Sequence, residues 1–161
     1  LLFSDTIENN IRLWEESISH EEIVEAAKNV NVHRFVSELE NGYETVLKER
    51  AAGISVGQKQ LLSFARALAH SPEILVLDEA TSSIDPETES LIQDALRKLM
   101  KDRTSIIVAH RLSTVRECDR IVVMHKGRIR EVGSHDELME QDGIYRKLYE
   151  LQYKSQNLQA S

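Results

Sequence analysis

Cysteine and proline are scarce in this sequence, with one and two residues respectively among 161. A single cysteine, Cys118, excludes an internal disulfide, and we therefore expect a reducing compartment. No apolar run approaches the roughly 18 residues that a membrane-spanning helix needs. The sequence also lacks an initiator methionine and a signal-peptide pattern. We expect it to be a fragment of a longer protein.

Positively charged residues are also fewer than negatively charged ones: 20 lysines and arginines against 27 aspartates and glutamates give a net charge of −7. Nucleic-acid surfaces normally need a basic face, so no nucleic-acid partner is expected. The six histidines show no metal-ligand spacing, and no zinc site is predicted from them. A hydrophobic fraction of 41% is typical of an ordinary globular protein.

The patterning divides the chain into three predicted parts: a helical part over 1–70, an α/β part over 71–133 and helices over 134–161. In the first part, Ser19 and Glu22 form a capping-box pattern ahead of a helix. A second helix is predicted from Ser55 to just before Pro72. In the third part, Ser134 and Glu137 repeat the capping box. A final helix is then predicted to place Ile144, Leu148 and Leu151 on one face.

The middle part predicts a strand, a helix and a second strand. ILVL (74–77) and SIIV (105–108) are continuous apolar runs, which indicate strands covered on both faces. Asp85 as N-cap and Pro86 in the first turn open the helix between them. The unit should therefore be a right-handed βαβ crossover with parallel strands. RIVVM and RIREV predict a hairpin that turns at Gly127. The fold class is α/β.

Asp78 and Glu79 follow directly after the first apolar strand. Ligands bind at the carboxyl ends of strands in open α/β sheets. In a nucleotide enzyme Asp78 would hold Mg²⁺, and Glu79 would orient or deprotonate the water that attacks the γ-phosphate. The alternative is that both carboxylates only cap the following turn.

His110 ends the second strand in the same way. Parallel strands bring their carboxyl ends to one rim, so His110 is placed to share a site with Glu79. There it would contact the γ-phosphate and steady the attacking water. The alternative is a hydrogen-bonded loop histidine.

The start of the second helix, ISVGQKQ (54–60), indicates an anion site. Ser55 is a good N-cap, the first-turn N–H groups carry the positive end of the helix dipole, and Gly57 lets backbone approach a ligand. By itself this signal is weak. The phosphate-loop pattern GxxxxGK[ST] does not occur in the sequence, so the chain has no phosphate loop of its own for a nucleotide.

ISVGQKQLLSFARAL, ILVLDEATSSID and IIVAHRLSTV together resemble the nucleotide-binding domain of ATP-binding cassette (ABC) transporters. Their order and spacing are similar to the signature segment, the Walker B strand with its D-loop, and the switch histidine of that family. The likeness runs from Leu1 to about Gln152. FSDTIENNI and AHRLSTV particularly resemble the exporter branch, in which transmembrane and nucleotide-binding domains share one polypeptide.

The resemblance implies a role for each matching residue. Asp78 corresponds to the Walker B aspartate, which holds Mg²⁺ through water, and Glu79 to the catalytic base. His110 corresponds to the switch histidine. Ser83 and Asp85 belong to the D-loop, which crosses a dimer interface in this family. The signature, which binds the γ-phosphate of ATP held by a partner domain, corresponds to Ser55, Val56, Gly57 and Gln58.

The resemblance also implies partners and a location. The intact protein would use ATP and Mg²⁺, pair head to tail with a second nucleotide-binding domain as a homodimer or heterodimer, and join a transmembrane domain at the cytoplasmic face of the cell membrane. The fold implied is an ABC ATPase core of the P-loop type, with a partial, mostly parallel sheet and an α-helical signature subdomain. The family's Walker A loop, adenine-stacking aromatic residue and Q-loop glutamine would lie before Leu1. We therefore expect the isolated chain to be soluble and inactive, and to expose an apolar sheet face through which it self-associates.

Two positions depart from the family pattern LSGGQ and its preceding ERG. Val56 stands where the first signature glycine is usual, and Ala51 replaces the glycine of ERG. A degenerate signature beside an intact Glu79 and His110 suggests a heterodimer in which this signature serves the weaker site. The alternative is a homodimer that tolerates valine.

Two other function classes stay open. A soluble ABC-type ATPase of DNA repair or translation would share Walker B and the signature, but it should show a basic surface and lack FSDTIENNI. The second alternative is that the chain acts only as a dimerisation module.

Overall fold

A computed structural model describes residues 2–48, 51, 53–78, 84–109 and 112–159. Contacts divide the chain into two compact units, Leu1–Leu77 with Thr81–Ile107 and Asp78–Ala80 with Val108–Ser161. The predicted division into 1–70, 71–133 and 134–161 remains a prediction. The described elements, in chain order, are α1 Ile7–Arg12, α2 His20–Asn29, α3 His33–Ser37, a 3₁₀ turn Gly42–Glu44, α4 Val56–Ala69, β1 Ile74–Asp78, α5 Pro86–Met100, β2 Thr104–Val108, α6 Leu112–Arg116, β3 Ile121–His125, β4 Arg128–Gly133, α7 His135–Glu140 and α8 Ile144–Gln159.

The helix starts predicted from capping residues are confirmed. Ser19 and Glu22 close a reciprocal capping box at the start of α2, and Asp85 caps α5 with Pro86 in the first turn. Each cap supplies acceptors for N–H groups that the first helical turn leaves unpaired. Local sequence therefore sets where these helices begin.

The first unit is built on α4. This helix packs against α1, α2 and α5, and its Leu62 is fully buried. Ile23 of α2 and Ile92 of α5 are buried in the same core. Because α4 lies in the centre of this core, its first turn has a fixed place relative to the neighbouring helices.

The strands β1 and β2 lie side by side in a two-stranded sheet. The prediction that both faces are covered is wrong, because burial alternates along each strand. Leu75 packs into the core, whereas Ile74, Val76, Ile106 and Val108 are each more than half exposed. Successive strand residues point to opposite faces, and here only one face meets the core. The expected exposed apolar sheet face is thus confirmed, while the parallel direction and the handedness remain predictions.

The second unit contains the predicted hairpin. β3 and β4 pair antiparallel, and Lys126 and Gly127 turn between them with φ of 51° and 70°. A left-handed conformation at both central residues is typical of the two-residue hairpin turn in which glycine is favoured. The register shifts between Val123 and Met124, which marks a bulge. The capping box of Ser134 and Glu137 at α7 is also confirmed.

The predicted helix α8 is confirmed, and its spacing places Ile144, Leu148 and Leu151 on one face, but that face is not buried along its length. Leu148 and Leu151 are 53% and 62% exposed, whereas Tyr145 in the first turn is buried. The Tyr145 hydroxyl lies 2.8 Å from Nδ1 of His135. At the helix start, the Glu131 carboxylate accepts the N–H groups of Ile144 at 2.6 Å and Tyr145 at 3.0 Å. These contacts fix the rotation of α8 about its axis, which apolar spacing alone did not predict.

Candidate functional site

The first turn of α4 is held by a reciprocal capping box. The Ser55 hydroxyl oxygen accepts the N–H of Gln58 at 3.1 Å, and the Gln58 side-chain oxygen accepts the N–H of Ser55 at 3.0 Å. The Ser55 carbonyl accepts the N–H of Lys59 at 3.0 Å. The prediction of Ser55 as N-cap is therefore confirmed, and Gln58 has a local structural role besides its predicted role in binding phosphate.

Two N–H groups of this turn lack an acceptor in the described part of the chain. Among the described residues, none accepts the N–H of Val56 or of Gly57. The leading N–H groups of a helix have no acceptor within the helix and need one from elsewhere. A phosphate oxygen would satisfy such groups at the positive end of a helix dipole. The turn therefore fits the phosphate of a nucleotide.

Gly57 is required by packing as well. A Cβ built at this position would overlap the γ-methyl of Thr88, and it would lie 3.6 Å from the Cγ2 atom of Ile84. The sequence interpretation explained Gly57 by the approach of a ligand only. The contact with α5 was missed because its partner is distant along the chain and no local pattern indicates it.

The two departures from the family pattern differ in their surroundings. Val56 is the first residue of α4, and its side chain is 56% exposed, so its bulk lies at the surface next to the two free N–H groups. Ala51 is buried with φ of 51°, a left-handed conformation that favours glycine. The glycine that the family usually has there is thus explained by backbone geometry.

Asp78 is the last residue of β1 and is exposed. Within the described ranges, no cluster of three or more histidine, cysteine, aspartate or glutamate side chains could hold a metal ion. A single carboxylate fits Mg²⁺ only if water and phosphate supply the other ligands, which is the usual arrangement for this ion. Asp78 is thus suited to that role and insufficient for it alone.

Asp85 begins α5. Its carboxylate accepts the N–H of Thr88 at 2.9 Å. This backbone hydrogen bond, followed by one from the Thr88 side chain, lowers the pKa of Asp85 below its ordinary value of 3.8. A D-loop role and a capping role therefore fall on the same side chain.

The remaining predicted site residues, Glu79, Ser83 and His110, lie outside the described residues. The predicted shared site of Asp78, Glu79 and His110 and the D-loop role of Ser83 stay predictions. In the part of the chain that is described, no helix combines the length and the apolar character needed to cross a membrane.

An α/β domain with a capped helix start that offers free N–H groups is typical of nucleotide-binding proteins. The sequence model of the ABC transporter family matches residues 3–82. An ABC transporter ATP-binding protein of Bacillus subtilis, YknU, is 51% identical over 153 residues, which are 95% of this chain and 26% of that protein. The chain belongs to the ABC transporter family and is part of its ATP-binding domain.

Other relatives extend this comparison. The ATP-dependent lipid A-core flippase of Chromobacterium violaceum is 51% identical over 94% of the chain and 26% of its own length. A putative multidrug export ATP-binding/permease protein of Staphylococcus aureus is 52% identical with the same coverage. A solved structure of a bacterial Atm1-family ABC exporter with ATP bound superposes with a TM-score of 0.83 at 40% identity, over 94% of the chain and 27% of that exporter. The chain thus spans about a quarter of the length of these relatives.

Proposed function

We propose that the protein containing this chain is an ABC exporter that couples ATP binding and hydrolysis to transport across a membrane. The observation that carries this proposal is the first turn of α4, which offers the N–H groups of Val56 and Gly57 without acceptors among the described residues. In a member of this family, such a turn is best explained as a site for the γ-phosphate of ATP. The names of an export protein and of an exporter among the similar proteins support the direction of transport.

The chemistry is divided among four groups. Ser55 and the N–H groups that follow it hold the γ-phosphate and favour the charge that develops on its oxygens. Asp78 is the carboxylate for Mg²⁺, which would offset the negative charge of the phosphates when bound. Glu79 takes the proton of the attacking water, and His110 steadies that water against the γ-phosphate.

The proposed partners follow from the family resemblance. No phosphate loop occurs in the sequence, so the nucleotide that meets α4 is held by another segment. We assign that segment to a second nucleotide-binding domain facing head to tail, as in the resemblance stated above. The complete protein would also carry a transmembrane domain, which places this domain at the cytoplasmic face of the membrane.

A test of the catalytic proposal uses the full-length protein in membrane vesicles. E79Q should lower Mg-dependent ATP hydrolysis by about 10²- to 10⁴-fold, the usual contribution of a general base. E140Q is the matched control, because Glu140 is an exposed residue at the end of α7 and should leave the rate unchanged. A wild-type protein that dimerises without hydrolysing ATP would favour the dimerisation-only alternative. The isolated chain should show little or no binding when Mg-ATP is titrated into it.

The alteration at Val56 supports a second, narrower proposal. The exposed valine side chain beside the free N–H groups suits a site that holds ATP and turns it over slowly, as expected for the weaker site of a heterodimer. V56G in the full-length protein should raise turnover or change nucleotide occupancy at that site. Unchanged turnover together with unchanged occupancy would favour a homodimer that tolerates valine.

A further inference from the structure

The start of α4 and the start of α5 are in direct contact through one methyl group. Gly57 is buried in the second position of α4, and the γ-methyl of Thr88 occupies the space that a Cβ at Gly57 would fill. The Thr88 Cβ atom lies 3.5 Å from that same position. The backbone of Gly57 therefore rests on Thr88 with no room for a side chain.

This methyl group has little freedom to move. Thr88 is β-branched, and such side chains are stiff about their first torsion angle. Its N–H donates to the Asp85 carboxylate at 2.9 Å, which holds the Thr88 backbone at the start of α5. The methyl group is therefore carried by a backbone position that the Asp85 cap fixes.

We infer that Thr88 is a positioning residue for ATP hydrolysis: its γ-methyl, on a backbone that Asp85 caps, seats Gly57 and thereby sets where the N–H groups of Val56 and Gly57 point. The inference rests on the proposed function, because those N–H groups matter only if they meet a phosphate. It also gives Asp85 a task within its own chain. Asp85 holds the Thr88 backbone, and Thr88 in turn supports the first turn of α4.

The expected consequence is a large effect from a small displacement. A Cβ at Gly57 cannot be accommodated without moving α4 or α5, since the group that it meets is a stiff branched side chain. Misplacement of about 1 Å at a group that positions a substrate costs about 10²-fold in rate. The phosphate-binding turn would remain folded but would be aimed wrongly.

The test is a double-mutant cycle in the full-length protein, with ATP hydrolysis measured at several ATP concentrations. G57A alone should lower kcat at least tenfold. T88S removes the γ-methyl that seats Gly57 and keeps the hydroxyl, so T88S alone should also lower kcat, by about threefold to tenfold, because the turn loses its support. The combination G57A/T88S should recover most of the loss, because the new Cβ then enters the vacated space. T104S, which removes the same methyl from an exposed residue at the start of β2, is the control and should not rescue G57A.

Thermal unfolding of each variant separates positioning from loss of fold. If G57A fails to fold, recovery of both folded and active protein by G57A/T88S still supports the inference, and no recovery overturns it. A folded, impaired G57A that T88S does not rescue would mean that Gly57 is needed for the ligand alone, and the inference fails while the proposed function stands. If S55A, V56G and G57A all leave hydrolysis unchanged, the proposed phosphate site itself is wrong.

Discussion

The buried Asn10 offers a sharp test of how the first unit is held together. Its side-chain nitrogen donates to the backbone carbonyls of Thr6 at 2.9 Å, Phe3 at 3.0 Å and Asp5 at 3.3 Å. Its side-chain oxygen accepts the N–H of Phe3 at 2.7 Å. The Arg66 side chain of α4 donates to the Asn10 backbone carbonyl at 2.7 Å. One amide thus ties the segment before α1 to the first turn of α1, next to the helix that carries the phosphate-binding turn.

Truncation to alanine would remove all the side-chain bonds of Asn10 at once. A typical hydrogen bond contributes about 1 kcal/mol net, and a buried group left unpaired costs ~1–3 kcal/mol. The Phe3 N–H loses its acceptor at a site where Asn10 is only 1% exposed. We therefore expect N10A to lower the free energy of unfolding by about 3 kcal/mol. N10D should be similarly harmful, because it places a carboxylate oxygen against three carbonyl oxygens.

The assay is urea unfolding of the complete ATP-binding domain, monitored by circular dichroism. The slope m, which is the dependence of the unfolding free energy on urea concentration, is compared between variants. N41A is the matched control, because Asn41 is exposed and its side chain makes no capping hydrogen bond. N41A should lie within about 0.5 kcal/mol of wild type, as is usual for surface substitutions. If N10A behaves like N41A, the hydrogen bonds of Asn10 do not stabilise the unit and the reasoning is refuted.

Three further predictions concern other contacts. E131A should speed amide hydrogen exchange at Ile144 about tenfold or more, since hydrogen bonds to charged groups contribute ~1.5–3 kcal/mol. E131Q keeps an acceptor, so its exchange rate should lie between those of wild type and E131A. Equal exchange rates in wild type, E131A and E131Q would exclude this cap. The lowered pKa of Asp85 predicts stability that is complete above its ordinary value of 3.8 and lost as pH falls through the lower folded value, and D85N should show a smaller acid-induced loss. Burial, followed by the charge of Glu8, raises the pKa of Tyr43 to about 12. The stability that the neutral tyrosine contributes should therefore be lost as pH rises from about 10 to about 12. A tyrosinate absorbance transition near pH 12 should be present in wild type and absent in Y43F.

Short-range features were predicted well from the sequence because their causes are short-range. A serine hydroxyl or an aspartate carboxylate accepts the N–H of the residue three positions ahead. The starts of α2, α4, α5 and α7 therefore follow from a few neighbouring residues. The hairpin turn at Gly127 has an equally local cause, since its backbone needs positive φ. The family was indicated by the order of three motifs, which the comparisons confirmed.

Burial on a particular face could not be predicted in the same way. An apolar strand such as β1 has the same sequence pattern whether one or both of its faces are covered, and only the packing shows that Val76 is exposed and Leu75 is not. The buried face of α8 was missed for a related reason. Its rotation is set by Glu131 and His135, which lie outside the helix.

The sequence by itself determined where most elements begin, which residue types bear the chemistry and which family they belong to. Those properties depend on neighbours within a few residues or on motifs read in order. Only the tertiary structure decided why position 57 must be glycine, because the methyl group that excludes a side chain there belongs to Thr88 of another helix. Contacts between distant segments depend on how the helices pack, and no local pattern in the sequence records them.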